Sequence, residues 1–156
     1  MLKKKNMSNN ADSLSATLVV RRTIQATPER LFEAWTRPEQ LRSWWGPDNV
    51  TCSEAEVDLR VGGRYRLANQ MPNGDIVWIS GVFELIQIPD KLVYTWSIGA
   101  ASNDSPERVT VTFEPREQGT EVIVVHERIP DKPTRDQHKQ GWYGCFNGLV
   151  DYLDER

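Results

Sequence analysis

Apolar and polar positions change period several times along this chain. Thr17 to Gln25 is β-branched and alternating, which predicts a strand on which Val20, Arg22 and Ile24 share one parity. Thr27-Pro28-Glu29 then supplies an N-cap, a proline at the first helical position and an acid in the first turn. Leu31, Phe32 and Trp35 recur at helical spacing, giving that short helix one apolar face. Pro38 ends it and starts another, in which Leu41, Trp44 and Trp45 repeat the spacing. A turn at Gly46-Pro47-Asp48-Asn49 follows.

Beyond it the texture is that of strands. Val50 to Arg60 and Arg64 to Gln70 flank Gly62-Gly63 as a hairpin, and Pro72-Asn73-Gly74-Asp75 is a turn in which Asn-Gly accepts positive φ. Ile76 to Gln87 and Leu92 to Ile98 flank Pro89-Asp90, and a loose loop runs from Gly99 to Pro106. Val109, Val111 and Phe113 alternate with threonines, and past Gln118-Gly119 the residues Val122, Val124 and His126 share a face. Both faces of Ile76 to Ile86 are apolar, so period alone leaves the side taken by Trp78 open.

The chain ends in a predicted helix. Thr134 with Gln137 matches a capping box, and no proline interrupts as far as Tyr152. Trp142, Phe146, Leu149 and Leu153 form one stripe, with Gly141, Gly144 and Gly148 beside it. Three glycines cost a helix up to ~3 kcal/mol against alanine, so close backbone packing on the sheet or space beside the helix should offset them. Short turns between consecutive strands make an antiparallel sheet, which must curl to bury the helical stripe. The expected fold is α+β: a curved antiparallel sheet of about seven strands gripping a long C-terminal helix, with two short helices after the first strand. A pocket would lie between sheet and helix.

Composition narrows the function. The 156 residues suit one domain, and the boundaries read as a polar, disordered tail over 1–15 and a folded domain over 16–156. Removing the three lysines and one aspartate of the tail moves the formal charge from −3 to −5, which argues against nucleic acid as a partner. The basic start is followed by polar residues where a signal peptide needs an apolar core, and no run is long enough for a membrane helix. A cytoplasmic, reducing location is the expectation. Cys52 and Cys145 are far apart and form no C-x-x-C pair, and the two histidines lack ligand-like spacing, so neither metal nor cofactor is expected. Six tryptophans fit a generous core or an aromatic-lined cavity.

Certain residues within this order resemble a known family. Ala26-Thr27-Pro28-Glu29 leads to Phe32-Glu33-Ala34-Trp35, then to Leu41-Arg42-Ser43-Trp44-Trp45-Gly46-Pro47. Asp58 to Tyr65, Gly81-Val82-Phe83, Pro89 to Trp96, His126-Glu127 and Gly141-Trp142 complete the series. The pattern, over about 18–154, resembles the helix-grip superfamily of START lipid-transfer domains, polyketide cyclases (the START-like or SRPBCC group) and the birch-pollen allergen. Within it the likeness is to homologues of the activator of the ninety-kilodalton heat-shock protein's ATPase. The resemblance implies a small hydrophobic ligand, or a co-chaperone-like protein partner in a stress-response setting. Eukaryotic co-chaperones carry an additional N-terminal domain, and here fifteen residues precede the first strand, so the resemblance implies a stand-alone domain.

The leading function is binding of a small hydrophobic or aromatic molecule, lipid- or polyketide-like, by a monomer or homodimer. Trp44, Tyr65, Trp96, Phe113, Trp142 and Phe146 supply apolar walls, and Arg22, Asn69 and His126 supply orientation. Each has a plain alternative. The aromatics serve equally as core, and Arg22 as one half of an ion pair with a strand carboxylate. His126 could instead be a strand-end group bonded to a backbone carbonyl or to Trp142, and His138 reads as surface. A second class is a cyclase- or dehydratase-type enzyme with His126 as general acid–base, which needs an acid within reach, and no inward carboxylate is evident. Cys145 paired with His126 as a nucleophile is weaker still. The third class is a protein-interaction module, for which an exposed Trp78 would be a hint.

Overall fold

Thr27 sets the first corner of the molecule: its hydroxyl accepts from the Arg30 backbone N–H at 3.1 Å, with Pro28 and Glu29 in the first helical turn. The computed structural model describes residues 16–99 and 105–154. The tail expected over 1–15 and most of the loop between Gly99 and Pro106 lie outside the described residues. Strand β1 (Ala16–Ile24) precedes helix α1 (Pro28–Thr36) and helix α2 (Pro38–Trp44). Six strands follow: β2 (Thr51–Val57), β3 (Arg64–Gln70), β4 (Ile76–Gln87), β5 (Lys91–Ile98), β6 (Glu107–Arg116) and β7 (Gly119–Ile129). Helix α3 (Lys132–Asp154) closes the chain.

All seven strands form one antiparallel sheet in the order β1-β7-β6-β5-β4-β3-β2. Sequential hairpins build β2 to β7, and β1 joins the free edge of β7 with Val20 opposite Val124. Helices α1 and α2 carry the chain between the two sheet edges. Helix α3 packs against β1, β7 and α2. The α+β helix-grip architecture is the one the alternation of periods implies.

Period two decides the core. Val109, Val111 and Phe113 on β6 and Val122 and Val124 on β7 are buried, and they meet Leu31 and Phe32 of α1 and Phe146 and Leu149 of α3. Full burial of one such side chain contributes about 1.5–3 kcal/mol. On β4, Ile79, Gly81 and Phe83 face inward, so Trp78 takes the convex side. There the Arg66 guanidinium lies 4.0 Å from its ring centroid, covering an indole that would otherwise be a bare apolar patch.

Two details of α3 depart from expectation. Its cap is Asp131, whose Oδ1 accepts from the Thr134 backbone N–H at 2.8 Å, so the helix starts before the Thr134 box. The glycine stripe meets backbone, though of the α2–β2 turn instead of the sheet. A Cβ on Gly144 would lie 2.8 Å from the Asp48 nitrogen, and one on Gly148 would lie 2.6 Å from the Trp44 oxygen. A Cβ on Gly141 would meet only Pro47 Cβ, at 4.0 Å, leaving space beside the helix there.

Candidate functional site

The space left beside Gly141 is part of a half-open cleft of about 330 Å³ between α3, β5 and the end of α2. Three tryptophans from three elements wall it: Trp45, Trp96 and Trp142. Trp45 is the residue after α2, where the backbone turns extended (φ −68°, ψ 138°), and its ring meets that of Trp44 edge to face at 5.5 Å. It meets Trp142 edge to face at 5.5 Å and Trp96 at 6.1 Å, while Trp96 and Trp142 lie 5.7 Å apart. Asn69 lines the same cleft, and its Oδ1 accepts from Trp45 Nε1 at 3.0 Å.

Behind Trp45 and Trp96 lies a second, much smaller space of about 20 Å³ among Tyr65, Leu67, Phe83 and Tyr94, room for one water. Still deeper, rings fill the grip. Trp35 packs 4.9 Å from Trp44 and 5.8 Å from Phe113, and Phe32 lies 5.9 Å from Phe113. Polar atoms within this aromatic mass are matched, with Trp44 Nε1 donating to the Ala34 carbonyl at 2.8 Å and the Tyr65 hydroxyl to the Thr95 carbonyl at 2.6 Å. Trp96 Nε1 is the exception. Among the described residues it is the one enclosed side-chain polar atom without a partner.

A polar chain runs along one wall. Trp142 Nε1 donates to His126 Nδ1 at 3.0 Å, and His126 Nε2 lies 2.7 Å from Glu107 Oε1. His138 Nε2 reaches the same oxygen at 2.9 Å, and the two imidazoles stack at 4.6 Å. An indole nitrogen only donates, so Nδ1 of His126 holds the lone pair and Nε2 the proton. The wholly buried His126 is therefore neutral, in line with burial lowering its pKa while the bond to Glu107 opposes that shift. For Glu107, burial raises the pKa, but the hydrogen bonds from His126 and His138 outweigh it and hold the carboxyl at about 2.

Glu107, His126 and His138 bring three ligand-type atoms within 4.8 Å of one another, the composition of a metal site. The donor polarity does not suit one. A metal would need the lone pair on His126 Nε2, which forces the proton onto Nδ1, where the Trp142 N–H already points. Ligating histidines donate their second N–H outward, and here the second nitrogen accepts. Nucleophile chemistry fits no better, since burial pushes the Cys145 thiol up to about 12.

The residues singled out from the sequence separate into three groups. Asn69, Trp96 and Trp142 line the cleft. Tyr65 lines the small inner space, and His126 stands behind Trp142. Trp44, Phe113 and Phe146 pack in the core, and Arg22 donates to Asn147 Oδ1 on α3 at 2.7 Å instead of pairing with a strand carboxylate. Three further residues belong to the site. Trp45 takes the wall position expected of Trp44. His138, read as surface, is largely buried and extends the α3 stripe one turn before Trp142. Glu107 is the inward carboxylate, on the parity of Val109, Val111 and Phe113.

Residues 25–154 match the family described as Activator of Hsp90 ATPase homolog 1-like protein. No match exists among curated proteins. A solved protein from Chromobacterium violaceum is 26% identical with a TM-score of 0.79, covering 86% of this chain and 94% of its own. The AHSA1 protein from Silicibacter pomeroyi has a TM-score of 0.79 at 23% identity, over 89% of this chain and 98% of its own. An AHSA1-like protein from Aeromonas hydrophila has a TM-score of 0.75 at 22% identity, over 90% and 93%. The last two likenesses show the fold alone.

Proposed function

The chain belongs to the Activator of Hsp90 ATPase homolog 1-like family, and from that premise we propose that it binds a small, mainly apolar molecule in the cleft between Trp45, Trp96 and Trp142. The observation that carries this reading is the cleft itself: about 330 Å³, walled by three indoles, at the low end of small-molecule sites. An aromatic body suits such walls, because ring pairs gain about 0.5–1.5 kcal/mol beyond their buried area. Of the residues proposed from the sequence, Asn69, Trp96 and Trp142 would touch such a guest.

The other two classes have less support. An acid–base role for His126 requires a free ring nitrogen, and both of its nitrogens are engaged in a fully buried ring. A co-chaperone-like surface role gains little from Trp78, because Arg66 covers its ring.

Tryptophan fluorescence tests the reading. Two-ring aromatic compounds should quench the wild type saturably, and a Gly141→Leu variant, whose side chain enters the cleft, should lose most of that response. Absence of quenching across such a panel, or quenching unchanged by Gly141→Leu, overturns it.

A further inference from the structure

His138 carries a polar group on the cleft wall that the fold itself does not consume. Its Nε2 is spent on Glu107 Oε1 at 2.9 Å. Glu107 is held as a carboxylate and accepts, so Nε2 of His138 donates and a neutral ring keeps its lone pair on Nδ1. Among the described residues that Nδ1 makes no hydrogen bond. Trp96 Nε1 is the only enclosed side-chain polar atom without a partner among the described residues, so Nδ1 of His138 is not enclosed. The imidazole is nevertheless fixed in place: only 12% of the side chain is exposed, with His126 stacked at 4.6 Å on one side and Trp96 at 6.1 Å. A fixed imidazole with one nitrogen tied to a carboxylate and the other open is an oriented acceptor.

We propose that His138 is the specificity-determining residue of the cleft and that it accepts a hydrogen bond from a phenolic or enolic hydroxyl of the guest. The proposal rests on the small-molecule reading above and adds the chemical class. The guest must donate, because the tautomer set by Glu107 leaves His138 only a lone pair to offer. A phenol or enol combines an acidic, strongly donating O–H with the flat apolar body that the three indoles favour. Discrimination follows from the alternative: a guest lacking the O–H strips water from Nδ1 and returns nothing.

The test compares 2-naphthol with 2-methoxynaphthalene, its methyl ether, at pH 8. Wild-type protein should bind the naphthol roughly five- to ten-fold more tightly, the range one net hydrogen bond supplies. In His138→Phe the two affinities should converge, with binding of the ether still measurable as the report of an intact cleft. Should that variant fail to fold, ¹⁵N spectra of the wild type give a second reading: the His138 Nδ1 resonance should move on adding naphthol and stay still on adding the ether. Equal wild-type affinities, a preference that survives His138→Phe, or a motionless Nδ1 resonance overturns the assignment of His138 while leaving the cleft intact. Failure of both naphthalenes to bind overturns the small-molecule reading, and this inference with it.

Discussion

Trp142 donates its indole N–H to Nδ1 of His126 at 3.0 Å, and this single bond determines which way every hydrogen bond behind the cleft points. It puts the His126 proton on Nε2, makes Glu107 the common acceptor of two imidazoles, and removes the lone pair a metal would require. Trp142→Phe leaves that nitrogen buried without a donor. A stability loss of about 1–3 kcal/mol is expected by urea denaturation beyond the cost of the smaller ring. A loss no larger than that of the ring alone would show that the bond contributes nothing.

The three cleft tryptophans should respond unequally to the same change. Trp45 and Trp142 each lose a hydrogen bond on conversion to phenylalanine, whereas Trp96 loses none. Trp96→Phe should therefore be milder than Trp45→Phe or Trp142→Phe by about 1–3 kcal/mol in denaturant titrations. Equal costs would mean that burial of the rings, and not their N–H groups, sets the scale.

Acid should weaken the fold in two steps. The His126 pKa is lowered in the folded protein, so its contribution is complete above the ordinary histidine value of 6.5 and declines as pH falls below it. Glu107 is held at about 2 against an ordinary 4.5, so its contribution is complete above that higher value and is lost as pH drops toward 2. Thermal melts should show a level midpoint from pH 8 to about 7 and a falling one from there to pH 3, and Glu107→Gln should flatten the lower limb. A midpoint independent of pH below 6 would contradict both assignments.

Alanine at the three α3 glycines should split in sign. Gly148→Ala and Gly144→Ala press a Cβ against backbone atoms at 2.6 and 2.8 Å, and each should destabilise by about 1–3 kcal/mol. Gly141→Ala meets nothing closer than 4.0 Å and should stabilise by up to about 1 kcal/mol through helix propensity. Melting temperatures of the three variants check this, and a destabilised Gly141→Ala would show that the helix tolerates no bulk at the cleft.

Much of this architecture was legible in the sequence because period is a local property. Alternation placed Val109, Val111, Phe113 and His126 on the inner face before any strand pairing was known, and turn chemistry separated the strands. Depth was not legible. Phe113 and Trp96 share the concave face, yet one is sealed among rings and the other borders two spaces. Trp45 escaped because helical spacing puts it on one stripe with Trp44, whereas the helix ends at Trp44 and the backbone turns extended at Trp45. His138 and Glu107 were within reach. His138 lies one turn before Trp142 on the same stripe, and Glu107 continues the inward parity of β6 toward the loop. A single polar residue at the end of an apolar series simply looks like the place where burial stops. The direction of the Trp142–His126 bond required three dimensions, since sequence names donors and acceptors without pairing them.

Two residues, Trp45 and Trp96, border both the cleft and the small inner space and stand between them. The inner volume available to a guest is thus decoupled from strand pairing. A smaller residue at either position would merge the two chambers while leaving every register of the sheet unchanged, so guest length could be retuned with the penalty confined to the lost ring.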